Sequence, residues 1–424
     1  MFKVVKPTKL LVEFLLIFKL QLSKPQFQHL TNFMEALLAC EGTKTIARLN
    51  RLILDATDQS AFTDFFTYSP WDDAEFRQST RRALVEWVLA ENQSTFAPQP
   101  FLIKIDDSYN SKPKESLHFE VTDWHFDTSK GRGYGYGVVF VTVHISCGRR
   151  SAPIALEIYL RAKTVRRLNR KREKGSRIPF RTKLTILKKI FRELAPLIPE
   201  NTKVYVLCDS WYTSAKLIKF CRRLKWHVIG AIKCNRIFTK TGDKESQQIA
   251  RHARYKRNRD FKPVTLKSSD GSVTYWVLTL KGRLKSVKDA VSIFISKKHY
   301  GDRYPEYFLC TDTSLSAQEA LALYTGRWVV EVDHLYLKIR LGLGDFRLRS
   351  YKGVTRYFDL VCLTLAYLYW RKFKEPASEV KNLSDVIAKH RLEQQDAFLR
   401  AFGQSVLETG SVDQAIDYWY KQAA

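Results

Sequence analysis

A chain of 424 residues is long enough to bury more than one core, and 45% hydrophobic with 13% aromatic residues is the composition of a folded protein, which excludes general disorder. Lysine and arginine number 71 against 43 aspartates and glutamates, and 71 − 43 leaves a formal charge of +28; the self-repulsion this costs points to a polyanionic partner, nucleic acid first. Seven scattered cysteines without a CxxC pair argue against a zinc site or a disulfide framework and fit a reducing compartment, and no apolar stretch reaches membrane-spanning length.

Residues 1–22 combine a basic start with apolar residues, as an export signal does. Glu13 and Lys19 interrupt the run, however, and Leu11, Phe14, Leu15, Phe18 and Leu22 recur at helical spacing, so the segment predicts an amphipathic core helix. Further helices follow up to about residue 95: one opened by Ser23 and Pro25 and closed by Gly42, one through Ile46, Leu49, Ile53 and Leu54, and one starting at Ser69, Pro70, Trp71 and Asp72. The helix pair around Gly42 has the form of a helix-turn-helix, a form that most often only packs a bundle. The sequence AlaProGlnPro at 97–100 marks a boundary.

Beyond it the text turns to strands, at 101–105, 134–147 and 152–160, followed by a helix at 181–197, a strand at 204–207, a helix at 215–224 and a strand at 226–232. Strands followed by alternating helix and strand predict an α/β layer with a mixed sheet. From 236 to 315 the pattern is β again, with strands at 261–267, 273–280, 290–296 and 306–311 about a turn at 268–272, and this block reads as an insertion. Helical text resumes at 316 and runs, with a break at 341–344, to 370; a polar helical segment from 376 ends the chain. The predicted division is a helical domain at 1–96, expected to bind DNA, an α/β core in two parts at 97–235 and 316–375, a β-rich insertion domain at 236–315 between them, and a C-terminal helical segment at 376–424.

On the helix predicted at 316–340, Tyr324, Arg327, Glu331 and Lys338 project within an arc of roughly 60° at 100° per residue. A carboxylate flanked by cations can hold a metal ion and phosphates together; the same spacing of Arg327 and Glu331 also suits a surface ion pair. Two strand-end carboxylates accompany it, Asp107 after the first strand and Asp209 after 204–207, and strand ends lie at the sheet margin where neighbouring strands bring side chains together. Asp106 stands beside Asp107. Strand alternation sends the two to opposite faces, so only one of them belongs with Asp209 and Glu331. Three carboxylates without histidine or cysteine ligands suit hard cations, Mg²⁺ or Mn²⁺, and two such ions are the usual complement for phosphodiester chemistry.

Basic residues cluster between Arg161 and Lys189, where thirteen cations including Arg166, Arg167, Arg170 and Lys171 face the single acid Glu173, and again at Arg251, Arg254, Lys256, Arg257, Arg259 and Lys262. Both runs flank the acidic motifs in sequence and read as a DNA track.

The spacing of Tyr324, Arg327, Glu331 and Lys338, with Gly326 to Glu331 (GRWVVE) and Leu341-Gly342-Leu343 around it, resembles the YREK signature of the insertion-sequence-four superfamily of bacterial DDE transposases. Asp107-Ser108 resembles the first acidic motif of that family, DSWYTS at 209–214 the second, and FFTYSPWD at 65–72 an N-terminal block of its insertion-sequence-seven-oh-one branch. The resemblance covers most of residues 50–370. It implies an RNase H-like core with an inserted β domain, the triad Asp107, Asp209 and Glu331 as catalytic metal ligands, and DNA-end phosphates held by Tyr324, Arg327 and Lys338, with Lys112 in a similar role. It implies double-stranded DNA as partner, a homodimer once two ends are synapsed, and residence in the bacterial cytoplasm at the nucleoid. Relatives flip a base, for which Trp211, Tyr212 and Trp276 are the candidate wedges. The family motif favours Asp107 over Asp106. A nuclease that does not transfer strands, or a DNA-binding descendant that no longer cuts, would share these features.

Overall fold

A computed structural model of the chain describes residues 2–54, 56, 58–93, 98–113, 118–126, 133–254, 256–268 and 271–421. Ala97 of the predicted boundary, residues 269 and 270 of the predicted turn and residues 422–424 lie outside them. The N-terminal helices are α1 (Lys9–Leu16), α2 (Lys24–Ala39), α3 (Ile46–Leu52), α4 (Gln59–Thr67) and α5 (Asp73–Leu89). In α1, Leu11, Phe14 and Leu15 are buried as their spacing predicts. Ser23 opens α2 with a capping box, which satisfies two otherwise orphaned donors, and Gly42 turns out of it at φ 72°.

The first strand, β1 (Phe101–Ser111), is followed by β2 (Asp123–Phe126), β3 (Tyr134–Cys147), β4 (Arg150–Tyr159), α6 (Ala162–Asn169), α7 (Lys183–Leu194), β5 (Val204–Cys208), α8 (Ala215–Arg223) and β6 (His227–Ala231). Strands β4, β3 and β1 are successively antiparallel, whereas β1, β5 and β6 run parallel. The resulting order β4-β3-β1-β5-β6 in a mixed α/β sheet is that of an RNase H-like core. Strand β1 is longer than its apolar residues suggest, because β3 pairs with it as far as Ser111 opposite Gly137 and so holds the polar run from Asp106 onward in the sheet.

The next block contributes β7 (Ile237–Lys240), β8 (Gln247–Gln248), α9 (Ile249–Arg254), β9 (Lys262–Ser268), β10 (Gly271–Leu284), β11 (Val291–Lys297) and β12 (Glu306–Cys310). These strands do not form a sheet of their own. Cys310, Leu309 and Phe308 of β12 pair with Ile229, Gly230 and Ala231 of β6, so among the described residues one twelve-stranded sheet runs from the core through the whole block.

The segment predicted as one helix at 316–340 is a chain of four pieces: α10 (Ala317–Thr325), a 3₁₀ turn (Gly326–Trp328), α11 (Val329–Leu335) and a π turn (Tyr336–Arg340). The π turn closes with the Leu341 amide on the Tyr336 carbonyl at 2.8 Å. Helices α12 (Tyr351–Lys374), α13 (Leu383–Thr409) and α14 (Val412–Ile416) follow. Helix α12 lies against β4, α2, α4 and α13, so the N-terminal helices and the C-terminal segment are built onto the α/β core. The block at 65–72 earns its place structurally: buried Arg356 of α12 donates to the carbonyls of Phe65, Phe66, Ser69 and Trp71, pairs with Asp73, and lies 4.0 Å over the Trp71 ring.

Candidate active site

Alternation along β1 sorts its side chains between two faces. On the first lie Leu102, Lys104, Asp106 and Ser108, covered by the chain of pieces from α10 to the π turn. Leu102 and Lys104 approach Gly326, the Arg327 guanidinium donates to Asp106 at 2.7 Å, and Lys338 donates to Ser108 at 2.7 Å. The β3 residues opposite them continue the pattern. Thr142, paired with Asp106, meets the His334 ring at 2.9 Å, and His144, paired with Lys104, bonds Asp333 at 2.6 Å. Asp333 also accepts from Tyr369 at 2.7 Å, so the turn of helix that carries Glu331 is pinned to β3 and α12 by a largely buried polar network. Burial holds His144 and His334 below the usual imidazole range, the latter at about 4, so both serve this network as neutral rings.

The other face of β1 carries Ile103, Ile105 and Asp107. Asp107 is taken up by two partners, the Lys183 ammonium of α7 at 2.6 Å and the Tyr212 hydroxyl at 2.6 Å. Lys183 in turn lies 4.8 Å over the Trp211 ring. Asp209 directly follows β5, and its carboxylate caps the turn by accepting from the amides of Trp211 and Tyr212.

Arg327 spans Asp106 and Glu331, reaching the latter at 3.2 Å. Burial pushes the Asp106 carboxyl up to about 7; Arg327 and the Asp107 amide oppose this, and the charges of Asp209 and Glu331 add to it. Asp106, Asp107, Asp209, Glu331, Arg327, Lys338, Lys183 and Trp211 thus line one open cleft of about 900 Å³. The donor set fits a hard divalent cation, being carboxylate oxygens from three separate elements already drawing cations toward them. Among the described residues no three of these carboxylates form a group that could hold one ion, and Arg327 stands between two of them.

Several sequence expectations are redirected. Tyr324 does not share the cleft: the 3₁₀ turn breaks the regular 100° progression, and its ring packs on Phe308 at 4.9 Å in the wall of a neighbouring pocket of about 340 Å³ with Leu266, Tyr275 and Trp328. Lys112 is not placed for phosphate; it donates to the carbonyls of Gly344 and Phe346 at 2.5 and 2.6 Å and lies 3.7 Å from the Phe346 ring centre, bracing the turn after the π segment. Tyr212 is 2% exposed and committed to Asp107, so it is no wedge for a base. Trp276 packs on Tyr300 at 4.6 Å, and it is the adjacent Tyr275 that lines the pocket; Trp211 does line the cleft and is 55% exposed. Arg166, Arg167, Arg170 and Lys171 are exposed on and just beyond α6, as are Arg254 and Arg257 in the sheet extension. Lys183, one cation among thirteen in its run, has no local signal; only the fold brings it to Asp107.

A mixed sheet of RNase H-like order brings acidic residues from β1, the end of β5 and α11 into one cleft with Lys183, Arg327 and Lys338, the kind of setting in which polynucleotide-cutting enzymes work. The family model described as DDE superfamily endonuclease matches residues 18–284, well over half of the chain, and this protein belongs to that family. The matched span includes Asp106, Asp107 and Asp209 and ends before the helix of Glu331. Among curated proteins none matches the chain.

Proposed function

We propose that this protein is a DNA transposase of the insertion-sequence-four type, cutting the ends of a mobile element and joining them to target DNA. The observation that carries the reading is the cleft in which the Asp106–Asp107 pair, Asp209 and Glu331 meet Arg327, Lys338 and Lys183, in a family of DDE endonucleases. Asp209, Glu331 and one aspartate of the pair would hold Mg²⁺, or Mn²⁺ in its place; two such ions supply an activated oxygen nucleophile and charge stabilisation on the leaving oxygen. Arg327, Lys338 and Lys183 hold phosphates around the carboxylates, and the exposed cations of α6 extend the track along a duplex. The pocket of Leu266, Tyr275, Phe308, Tyr324 and 68%-exposed Trp328, next to Arg327, has the aromatic walls an unstacked base requires and takes over the role first given to Trp211, Tyr212 and Trp276. The working form on DNA is a homodimer holding two ends, in the cytoplasm at the nucleoid. Among the described residues no helix is long and apolar enough to cross a membrane.

The test is strand transfer. Purified protein with Mg²⁺, the element's own end sequences and a plasmid target should yield joined products; cleaved ends without joined products would leave the nuclease reading in its place.

A further inference from the structure

The adjacent aspartates of β1 have different partners, and the difference assigns their roles. In the parallel pairing of β1 with β5, Phe101 to Lys104 lie level with Val204 to Leu207. Continued for two residues, the second of them just beyond the end of β5, this register sets Asp106 level with Asp209, and level residues of parallel strands project to the same face. That face is covered by the helix of Glu331, and Arg327 physically joins the two by bonding Asp106 at 2.7 Å and Glu331 at 3.2 Å. Thr142 opposite Asp106 bonds His334, three residues beyond Glu331 on the same element. Asp107 points the other way, where Lys183 and Tyr212 occupy both of its oxygens at 2.6 Å.

We infer that Asp106, and not Asp107, is the β1 ligand that binds the divalent ion with Asp209 and Glu331, while Asp107 is a positioning residue that holds Lys183 and Tyr212 at the cleft. The assignment rests on the metal-dependent reading proposed above and moves the first ligand by one residue from the one the family motif favours. Arg327 marks the space between Asp106 and Glu331 as one that attracts positive charge. Asp107 in this account fixes the ammonium and the Trp211 indole beneath it, and its loss is felt in the grip on DNA more than in metal binding.

Mn²⁺ titrations followed by the paramagnetic resonance of the free ion, on full-length protein saturated with a linear duplex, separate the two. D106N should weaken Mn²⁺ binding roughly tenfold or more and D107N by less than about threefold, with D107N instead weakening duplex affinity. Since either substitution could unsettle the strand, a second measurement uses thiol ligands. D106C should gain a thiolate–Cd²⁺ absorption band over the wild-type spectrum, and D107C should not. Mn²⁺ affinity lost in D107N and kept in D106N, or a Cd²⁺ band in D107C alone, would overturn the assignment and leave metal-dependent cleavage standing. No Mn²⁺ binding to the wild-type complex would overturn the metal-dependent reading itself, and the assignment with it.

Discussion

Replacing Arg327 by methionine removes the cation that spans Asp106 and Glu331 while keeping most of its volume. Two unit charges at about 4 Å interact by roughly 4 kcal/mol at an effective dielectric of 20. Here Asp106 and Arg327 are about 15% exposed and Glu331 is 39% exposed, so solvent screening cuts the net cost to about 2 kcal/mol. In buffer well above pH 7, where Asp106 is ionised, the carboxylates left behind repel one another, and a divalent ion relieves them. Thermal melts without metal should therefore place R327M about 2 °C below wild type, and Mn²⁺ should raise the variant's melting temperature more than the wild type's. Duplex binding should weaken in parallel under the proposed role of this guanidinium as a phosphate ligand. An R327M protein that melts like wild type without metal, with an unchanged response to Mn²⁺, would refute the claim that this arginine balances the carboxylate cluster.

Neutralising Arg166, Arg167, Arg170 and Lys171 together should flatten the salt dependence of linear-duplex binding by about 0.9 in log–log slope for each DNA phosphate these cations neutralise; an unchanged slope would remove α6 from the DNA track. His125 and His334 are each held by burial at about 4, well below the unfolded value near 6.5, so their share of stability is complete above pH 6.5 and is lost as pH falls toward 4. That share is on the order of 3 kcal/mol each, and H334Q should flatten the fall in melting temperature between pH 6.5 and 4.5; an H334Q curve parallel to wild type would contradict it. R356K should cost on the order of 3–5 kcal/mol in a chemical denaturation curve, since an ammonium cannot reach the four carbonyls and Asp73 that the buried guanidinium satisfies; wild-type stability would remove the block at 65–72 as its anchor.

What the sequence made legible follows from how locally each feature is encoded. Asp209 after an apolar strand, Glu331 with Arg327 and Lys338, and the alternation of helix and strand are read from short spacings. The extent of β1 is not, because the polar run after Ile105 looks like a turn and is kept in the sheet only by its pairing with β3. This is why the choice between Asp106 and Asp107 needs the register with β5. Tyr324 is misdirected for a related reason: a uniform helical angle carried across Gly326 ignores the 3₁₀ turn that tertiary packing imposes there. The partners of Lys112 lie more than 230 residues away in sequence, and those of Lys183 and Tyr212 more than 70, distances at which periodicity carries no information. The β block at 236–315 reads as separate because its composition changes, yet its last strand completes the edge of β6.

If carboxylates of this cleft hold the metal ions for DNA cleavage, Glu331 is the member whose role does not depend on the β1 assignment. Glu331→Gln keeps the shape of the side chain and removes its charge, so the purified variant should stay folded and bind linear duplex at least as well as wild type. Its Mg²⁺-dependent cleavage of that duplex, measured beside the wild-type protein, should fall by orders of magnitude. Cleavage by Glu331→Gln at the wild-type rate would contradict the account.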